Sequence, residues 1–187
     1  MNHIRMNEVK EDKFELNDII SFQMTNGEVV EAMAVKEDPD GMIFIAVDCL
    51  KKEYPLTNGG EYNYDNSIVR FALNGEVLQH VPGEIRERLV PFDNGDLLRI
   101  PTEREIFGTN RYGVKEPECV EQFEAMKQRR NRIALNGRNG DVAWYWLKNR
   151  DVYSAARACG VNWTGYAYCW DASDVLAVRP LFKIRNR

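Results

Sequence analysis

The residues best suited to binding chemistry lie in one short C-terminal stretch that is rich in aromatic side chains. The candidate ligand-binding residues are Asn162, Trp163, Tyr166, Tyr168, Trp170 and Asp171. Rigid aromatic side chains bury a large area at a low cost in entropy, and they are common anchors of binding surfaces. The stretch therefore predicts a recognition surface for a protein or a glycan.

Two short strands and a tight turn are expected to position these side chains. Residues 157–161 and 166–170 have the composition of strands, and the turn between them begins with Asn162 and ends with Gly165. Alternation along the second strand places its three bulky aromatic residues on one face and its two small residues on the other. A third run, residues 175–184, contains a proline, which confines that position to a sheet edge or a bulge.

Trp163 stands at the second position of the predicted turn, where the core offers little room for an indole. Either it anchors a recognition surface together with the aromatic residues of the return strand, or it folds back on Tyr153 or Tyr166. The sequence leaves both alternatives open.

The sequence carries no pattern typical of an enzyme or a metal site. Its two histidines, His3 and His80, have neither the Cys/His spacing of a metal site nor the order of a catalytic triad. Thr102 and Glu105 form a T-x-x-E capping box, so we interpret the carboxylates there as helix caps and surface ion pairs. Calcium-dependent sugar binding uses an E-P-N or Q-P-D tripeptide, and neither occurs. We therefore expect no catalysis, no cofactor and no functional metal.

The four cysteines predict thiols and not a disulfide framework. Cys49, Cys119, Cys159 and Cys169 have no C-x-x-C spacing, and four cysteines are sparse in 187 residues. We expect them to be reduced and partly buried. The alternative is a bond between Cys159 and Cys169 across the predicted hairpin.

Charge is unevenly distributed along the chain. Residues 1–66 carry 14 acidic and 6 basic residues, whereas residues 67–187 carry 15 acidic and 19 basic residues. The basic excess includes Lys127, Arg129, Arg130, Arg132 and Arg138. Such a cluster could meet phosphate or another acidic partner, but it lacks interleaved aromatic residues and the whole chain is acidic. We therefore interpret it as a solvated helix face and do not expect a nucleic-acid partner.

Composition indicates one globular domain. The chain is 44% hydrophobic and 29% charged, and no apolar run approaches the ~20 residues that cross a bilayer. Residues 1–13 are polar and are expected to form a mobile leader ahead of a single domain at residues 14–187. The leader lacks the apolar core of an export signal, so we expect a cytoplasmic location and no membrane partner.

The first third of the domain predicts an antiparallel meander followed by a loop. Residues 14–24, 29–36 and 42–49 are rich in strand-forming residues, and the turn signals T-N-G-E and D-P-D-G separate them. Residues 51–64 are expected to form a loop.

Helical patterns occupy the middle of the chain. A first helix is expected to start near Asp65 or Asn66, to pack through Ile68, Phe71 and Ala72, and to end at an Asn-Gly pair.

Four further elements with helical or strand character are expected before the C-terminal strands. A second helix is expected from Pro82 to Pro91, and a short strand at residues 96–100 leads into a capped helix that Gly108 ends. Residues 117–133 are expected to form the longest helix. The order of strands, helices and strands predicts an α+β fold with one mixed core.

Several short motifs resemble known families. The segment L-L-R-I-P-T-E-R-E at residues 97–105 resembles the L-P-T-E-x-E signature of the formylglycine-generating-sulfatase branch of C-type-lectin-like folds. Five further segments, in order, resemble an uncharacterised domain family of gut bacteria and their prophages in the same fold group. They are Glu105-Ile106-Phe107-Gly108, Tyr112-Gly113, Trp144-Tyr145-Trp146-Leu147, the turn from Val161-Asn162 to Gly165-Tyr166, and Val178-Arg179-Pro180.

The resemblance spans residues 14–184 and implies a C-type-lectin-like fold. That fold would combine mixed antiparallel sheets with short helices and long C-terminal loops, and it would pair the first strand with the last. The family has no established activity, so the resemblance implies no reaction. The related oxidases use paired cysteines, and only Cys159 and Cys169 could correspond to them. The chain departs from the family's pattern at two places. The usual W-L-R-S-P is W-L-K-N-R at residues 146–150, and Trp163 replaces the small polar residues common in the hairpin turn.

Two functions from different classes follow. The first is a non-enzymatic binding module that presents an aromatic loop surface to a protein or a glycan. The second is a structural homo-oligomeric subunit of a phage-like particle, in which the aromatic residues are buried between copies. The resemblance to prophage proteins would place either one in a phage particle if a prophage encodes the chain.

Overall fold

The computed structural model describes residues 13–186, so His3 and nearly all of the predicted leader lie outside the described residues. The described chain is an α+β protein with two antiparallel sheets and short helices. Its strands are β1 Ile19–Gln23, β2 Val29–Asp38, β3 Gly41–Ala46, β4 Leu89–Val90, β5 Leu98–Arg99, β6 Tyr145–Arg150, β7 Arg157–Val161, β8 Ala167–Asp171 and β9 Leu181–Ile184. Its α-helical segments are α1 Ile68–Ala72, α2 Leu78–His80, α3 Gly83–Arg86, α4 Glu103–Phe107 and α5 Arg129–Arg132.

The larger sheet has the strand order β1-β2-β3-β9-β4, and β5 also pairs with β9. The predicted meander is confirmed, because β1, β2 and β3 pair in sequence and antiparallel. β1 begins later than predicted, at Ile19. The preceding chain turns at Asn17, whose φ of 73° is the left-handed conformation that asparagine tolerates better than most residues.

The expected pairing of the first strand with the last is wrong. β9 pairs with β3, β4 and β5, whereas β1 pairs with β2 alone among residues 13–186. Pro180 directly precedes β9, so its missing N–H does not interrupt the ladder and β9 can occupy an interior position. Phe182 and Ile184 share a face, as predicted, and both are buried.

The smaller sheet contains β6, β7 and β8 in that order. The predicted hairpin is confirmed, with β7 and β8 joined by a turn in which Gly165 has a φ of 79°. Its register places Cys159 opposite Cys169 and Gly160 opposite Tyr168.

The expected single mixed core is wrong, because the buried apolar residues form two clusters. Phe44 and Phe182 belong to one cluster, while their neighbours Ile45 and Leu181 belong to the other. Successive strand residues point to opposite faces, so β3 and β9 contribute to both clusters. The sheet is therefore covered on both faces.

The first predicted helix differs from the structure in its start, its buried face and its end. Ser67 caps it through a hydrogen bond from the backbone N–H of Arg70. The predicted contact residue Phe71 is 64% exposed, whereas Val69 and Leu73 are fully buried. The helix does not end at the Asn-Gly pair but continues through a π-helical turn, Leu73–Val77, into α2.

Asn74 explains why the helix continues. Its side chain accepts hydrogen bonds from the backbone N–H groups of Leu97 and Leu98 and donates to the carbonyl of Leu98. These bonds fasten the helical segment to β5, so a residue expected to terminate the helix instead joins two elements.

The helix expected between Pro82 and Pro91 is limited to α3, and Leu89 lies in β4 instead. The predicted capping box is confirmed at α4, where Thr102 and Glu105 exchange side-chain and backbone hydrogen bonds. Gly108 ends α4 with a φ of 75°.

The predicted long helix at residues 117–133 is wrong. The segment holds only a 3-10 turn, Glu124–Lys127, and α5. Its polar groups bond to neighbouring elements: the N–H of Phe123 donates to the carbonyl of Glu105, and the Gln122 amide donates to the carbonyl of Ile106. These tertiary bonds replace helical ones, so packing overrides helix propensity.

None of the helices within residues 13–186 has the length and apolar character needed to cross a membrane.

Candidate functional site

The two faces of the smaller sheet have different surroundings. Cys159, Val161 and Cys169 point into one of the apolar clusters. On the opposite face, the predicted alternation of β8 is confirmed, because Tyr166 and Tyr168 are exposed while Ala167 and Cys169 are buried. The other apolar cluster covers part of this face at Trp146 and Ala158, and the uncovered part, which we call the outer face, presents large aromatic side chains.

Trp144, Tyr168 and Trp170 form an aromatic cluster on that outer face. The ring centroid of Trp170 lies 5.2 Å from that of Trp144 and 5.0 Å from that of Tyr168, with interplanar angles of 36° and 56°. Tyr168 is 52% exposed and Trp144 is 42% exposed. The three rings together present a rigid, partly solvated apolar surface.

Buried contacts hold this aromatic cluster in place. Trp146 lies beneath it, with its ring edge-on to Trp170 at 6.4 Å, and its indole N–H donates to the carbonyl of Tyr54. Gly160 lies under the Trp170 ring, where an added Cβ would be 2.8 Å from a ring carbon. The absence of a side chain at Gly160 therefore lets the indole of Trp170 pack closely against β7.

A polar cleft of about 300 Å³ adjoins Trp144. It is lined by Glu53, Asn136, Arg138, Asn139, Asp141, Val142, Ala143, Trp144 and Leu176. Asn136 donates to the carboxylate of Glu53, and Asn139 donates to that of Asp141. The guanidinium of Arg138 forms no ion pair with any residue in the described part of the chain. The cleft thus offers a donor and several acceptors beside an aromatic ring.

Two of the six candidate residues have side chains that stabilise turns. The side-chain Oδ1 of Asn162 accepts hydrogen bonds from the backbone N–H groups of Thr164 and Tyr166 and from the Thr164 hydroxyl. Asp171 accepts from the backbone N–H and the hydroxyl of Ser173, and the hydroxyl bond lowers the pKa of Asp171. These bonds give both residues a structural role in the loops that flank β8.

The remaining four candidates divide between two places on the sheet. Tyr168 and Trp170 belong to the aromatic cluster. Trp163 is 58% exposed at the hairpin tip, and among residues 13–186 it makes no ring contact with Tyr153 or Tyr166. Tyr166 lies beside Arg129, whose guanidinium carbon is 5.4 Å from the ring centroid. The structure thus brings an arginine to the hairpin tip that the candidate set did not include.

Trp144 is the aromatic residue that the candidate set missed. It precedes β6, and alternation places it on the same face as Trp146. Pairing β6 with β7 in the sequence-based prediction would have placed Trp144 in the same small sheet as β8. The strand pattern therefore contained the information needed to add Trp144 to the candidate residues. The contact between Arg129 and Tyr166 had no local signal, because residues far apart in sequence create it.

The carboxylates of the capping box are not at the surface, which corrects the expectation of surface ion pairs. Glu105 forms a buried ion pair with Arg99, at 2.5 and 2.8 Å. Glu103 is fully buried and accepts hydrogen bonds from the backbone N–H groups of Tyr112 and Gly113. Both carboxylates therefore hold backbone segments together.

The predicted free thiols are confirmed as free, and three of them are buried. Cys49, Cys159 and Cys169 are buried, and Cys119 is exposed. The Sγ atoms of Cys159 and Cys169 are 3.6 Å apart. Within residues 13–186, no group of three or more His, Cys, Asp or Glu side chains is arranged to hold a metal ion.

Comparison of this chain with protein-family models, curated proteins and solved structures finds no match.

Proposed function

We propose that this chain is a non-enzymatic binding module whose aromatic cluster and adjoining cleft recognise a glycan. The observation that carries the proposal is the juxtaposition of Trp144, Tyr168 and Trp170 with polar groups at one edge of their surface. Binding sites for small molecules combine aromatic walls with a few polar groups that fix orientation.

The chemistry of a sugar fits such a surface. One side of a pyranose ring carries C–H groups that can pack on an indole or a phenol, and its hydroxyls both donate and accept hydrogen bonds. Asp141 and Glu53 offer acceptors, and Arg138 offers donors. A protein ligand would use the aromatic cluster but has less need of the polar groups beside it, so we favour a glycan over a protein.

The experiment is a titration of the purified protein with chito-, cello-, xylo- and malto-oligosaccharides, followed by intrinsic tryptophan fluorescence and calorimetry. Trp144→Ala and Tyr168→Ala are expected to weaken binding by about 2 kcal/mol each, which is about 30-fold. Tyr153→Ala is the matched control, because Tyr153 is 86% exposed and makes no ring contact within residues 13–186. The proposal fails if none of the sugars binds, or if the two cluster variants bind as well as the control.

The alternative function, a homo-oligomeric structural subunit, is favoured by a different observation. β1 is an edge strand of the larger sheet among the described residues, and Ile19 at its start and Leu16 just before it are about half exposed. Free edges with exposed apolar residues promote association. Sedimentation or light scattering distinguishes the two functions, because a large obligate assembly supports a subunit and a monomer supports a binding module.

We also propose that the fold is a divergent C-type-lectin-like one. Two of the motif segments that carry the resemblance contact each other, since Glu103 accepts a hydrogen bond from the backbone N–H of Gly113. Lys148, which directly follows the segment Trp144-Tyr145-Trp146-Leu147, donates its backbone N–H to the carbonyl of Pro101. Arg179 of the V-R-P motif donates to the hydroxyl of Tyr145. The motifs thus form one connected structural unit, although the position of β9 departs from the expected strand order. An experimental structure compared with lectin-like domains tests this placement.

A further inference from the structure

A second surface lies at the hairpin tip, apart from the aromatic cluster, and we call it the arginine surface. It consists of Arg111, Arg129, Arg130 and Arg132 with the rings of Phe107, Trp163 and Tyr166. Arg132 and Arg111 both face the Phe107 ring, at 5.1 and 5.9 Å from its centroid. Arg129 faces Tyr166 at 5.4 Å. Guanidinium groups and aromatic rings therefore alternate across it.

The surface is rigidly supported from below. The hydroxyl of Tyr145 donates to the carbonyl of Arg132, and buried Arg179 donates to the carbonyl of Asn131. The hairpin turn packs directly on α5, since a Cβ on Gly165 would lie 3.1 Å from the carbonyl oxygen of Arg129. The backbone that carries three of the arginines and the hairpin turn is thus held in place before any partner binds.

The positive charge of this surface is not neutralised within the described chain. Arg111, Arg129, Arg130 and Arg132 form no ion pair with a residue at positions 13–186. The buried Nε of Arg132 has no hydrogen-bond partner there. Burial lowers the pKa of Arg132, and the nearby charges of Arg111 and Arg129 contribute in the same direction. Crowded guanidinium groups of this kind favour an anionic partner.

We propose that the arginine surface binds single-stranded nucleic acid, with phosphates between the guanidinium groups and unstacked bases on Trp163 and Tyr166. Charge complementarity selects a polyanion, and the two exposed rings select one that also offers planar bases. A duplex fits less well because its bases stay stacked on one another. An acidic peptide fits less well because it has negative charges but no planar bases. The two sequence-based reasons for discounting nucleic acid were the lack of interleaved aromatic residues and the acidity of the whole chain. The fold supplies the aromatic residues from α4 and the hairpin, and the net charge of -4 is unevenly distributed, with the basic excess after residue 66.

This site goes beyond the proposed glycan function and does not depend on it. The arginine surface uses Trp163 and Tyr166, whereas the glycan surface uses Trp144, Tyr168 and Trp170. Substitutions in one surface are expected to leave binding at the other unchanged. Failure of one proposal is therefore distinguishable from failure of the other.

Fluorescence anisotropy with fluorescein-labelled oligo(dT) of about 16 nucleotides, over a series of salt concentrations, tests the proposal. Four phosphate contacts, one for each arginine of the surface, predict a slope of about −3 for the logarithm of the association constant against the logarithm of salt concentration. Arg129→Gln is expected to reduce the magnitude of this slope by about 0.7. Trp163→Ala is expected to weaken binding about tenfold while leaving the slope unchanged, because it removes stacking and not charge.

Matched controls separate this site from nonspecific attraction. Arg86→Gln removes an exposed arginine on α3, and Trp144→Ala removes a ring of the other surface; both are expected to bind oligo(dT) like the unaltered protein. Thermal unfolding of each variant confirms that the fold is retained. The proposal is overturned if oligo(dT) does not bind at low salt or if Arg86→Gln weakens binding as much as Arg129→Gln. Tighter binding of poly-glutamate or of duplex DNA than of oligo(dT) would overturn it as well.

Discussion

Cys119 is exposed, whereas Cys49, Cys159 and Cys169 are buried, and this difference should control their reactivity. Burial raises the pKa of Cys49 to about 12. The hydrogen bond with Cys169, together with burial, raises the pKa of Cys159. Because the thiolate is the reactive form, neither Cys49 nor Cys159 should react at neutral pH in the folded protein.

We therefore predict that a colorimetric thiol reagent labels one thiol rapidly in the native protein and the other three only after denaturation. Cys119→Ser should abolish the labelling of the native protein and leave the three thiols that react after denaturation. Rapid native labelling of Cys159 or Cys169 would contradict the burial seen here. If Cys159 and Cys169 were bonded, the denatured, unreduced protein would yield two thiols instead of four, which tests the alternative pairing.

Asparagines show where residue-level prediction succeeded and failed. Asn162 was predicted to begin the hairpin turn, and its side chain does so through bonds to residues only two and four positions away. Asn74 was predicted to end a helix, but its amide bonds to residues 23 and 24 positions away, at the start of β5 and just before it. The local sequence around an asparagine indicates its local bonds. Its distant partners depend on the tertiary fold.

At the scale of elements, the strands and turns near Gly, Pro and Asn were predictable, and so was the capping box of α4. The segment from Pro117 to Ile133 was not predictable, because its residues favour a helix when considered alone. In the folded chain Phe123 and Met126 are buried in an apolar cluster, the 3-10 turn beside them contacts α4 and β2, and the backbone N–H of Phe123 donates to Glu105 in α4. The apolar burial outweighs the helical hydrogen bonds that are lost.

The packing of Trp170 on β7 gives a prediction for the small sheet. A Cβ at Gly160 would lie 2.7 Å from the carbonyl oxygen of Tyr145 and 2.8 Å from a ring carbon of Trp170. Gly160→Ala should therefore move the Trp170 ring away from the strand and destabilise the protein by about 1–3 kcal/mol. Near-ultraviolet circular dichroism should show the disturbed ring contacts, and urea denaturation should show the loss of stability.

Gly83→Ala is the control for this change. No atom of the described chain lies within 4 Å of a Cβ placed at Gly83, and its φ is not positive. Its effect on stability should stay below about 1 kcal/mol. Equal effects of the two substitutions, or an unchanged dichroism spectrum in Gly160→Ala, would show that the Trp170 ring is not held by close contact with β7.

At the scale of the whole molecule, buried charged groups join the parts that sequence patterns left separate. Arg179 is 2% exposed, and its guanidinium donates to the carbonyls of Ala46, at the end of β3, and Asn131, in α5. Neither contact follows from the V-R-P motif alone. The α+β class was predictable from the order of elements, but the interior position of β9 and the division into two apolar clusters required the strand pairing.

The ion pair between Arg99 and Glu105 makes the stability of the whole chain depend on pH. Burial alone would raise the pKa of Glu105, but the charge and hydrogen bonds of Arg99 outweigh burial and lower the pKa below its ordinary value of 4.5. A carboxyl group with a lowered pKa in the folded state contributes stability above its unfolded pKa. That contribution is lost as the pH falls from about 4.5 through the folded value.

We predict that Glu105→Gln lowers the free energy of unfolding by about 3 kcal/mol at pH 7, because it leaves Arg99 buried without its counterion. Urea denaturation at a series of pH values should show this difference from the unaltered protein shrinking as the pH falls below about 4.5, because Glu105 of the unaltered protein is then protonated in the unfolded chain while it stays charged in the folded one, until the pH reaches the lower folded pKa. Glu124→Gln is the matched control, since the Glu124 side chain is 74% exposed and its ion pair with Lys127 should contribute less than about 1 kcal/mol. A difference for Glu105→Gln that stays constant down to pH 3 would mean that the lost stability comes from packing or the helix cap and not from the charge of the carboxylate.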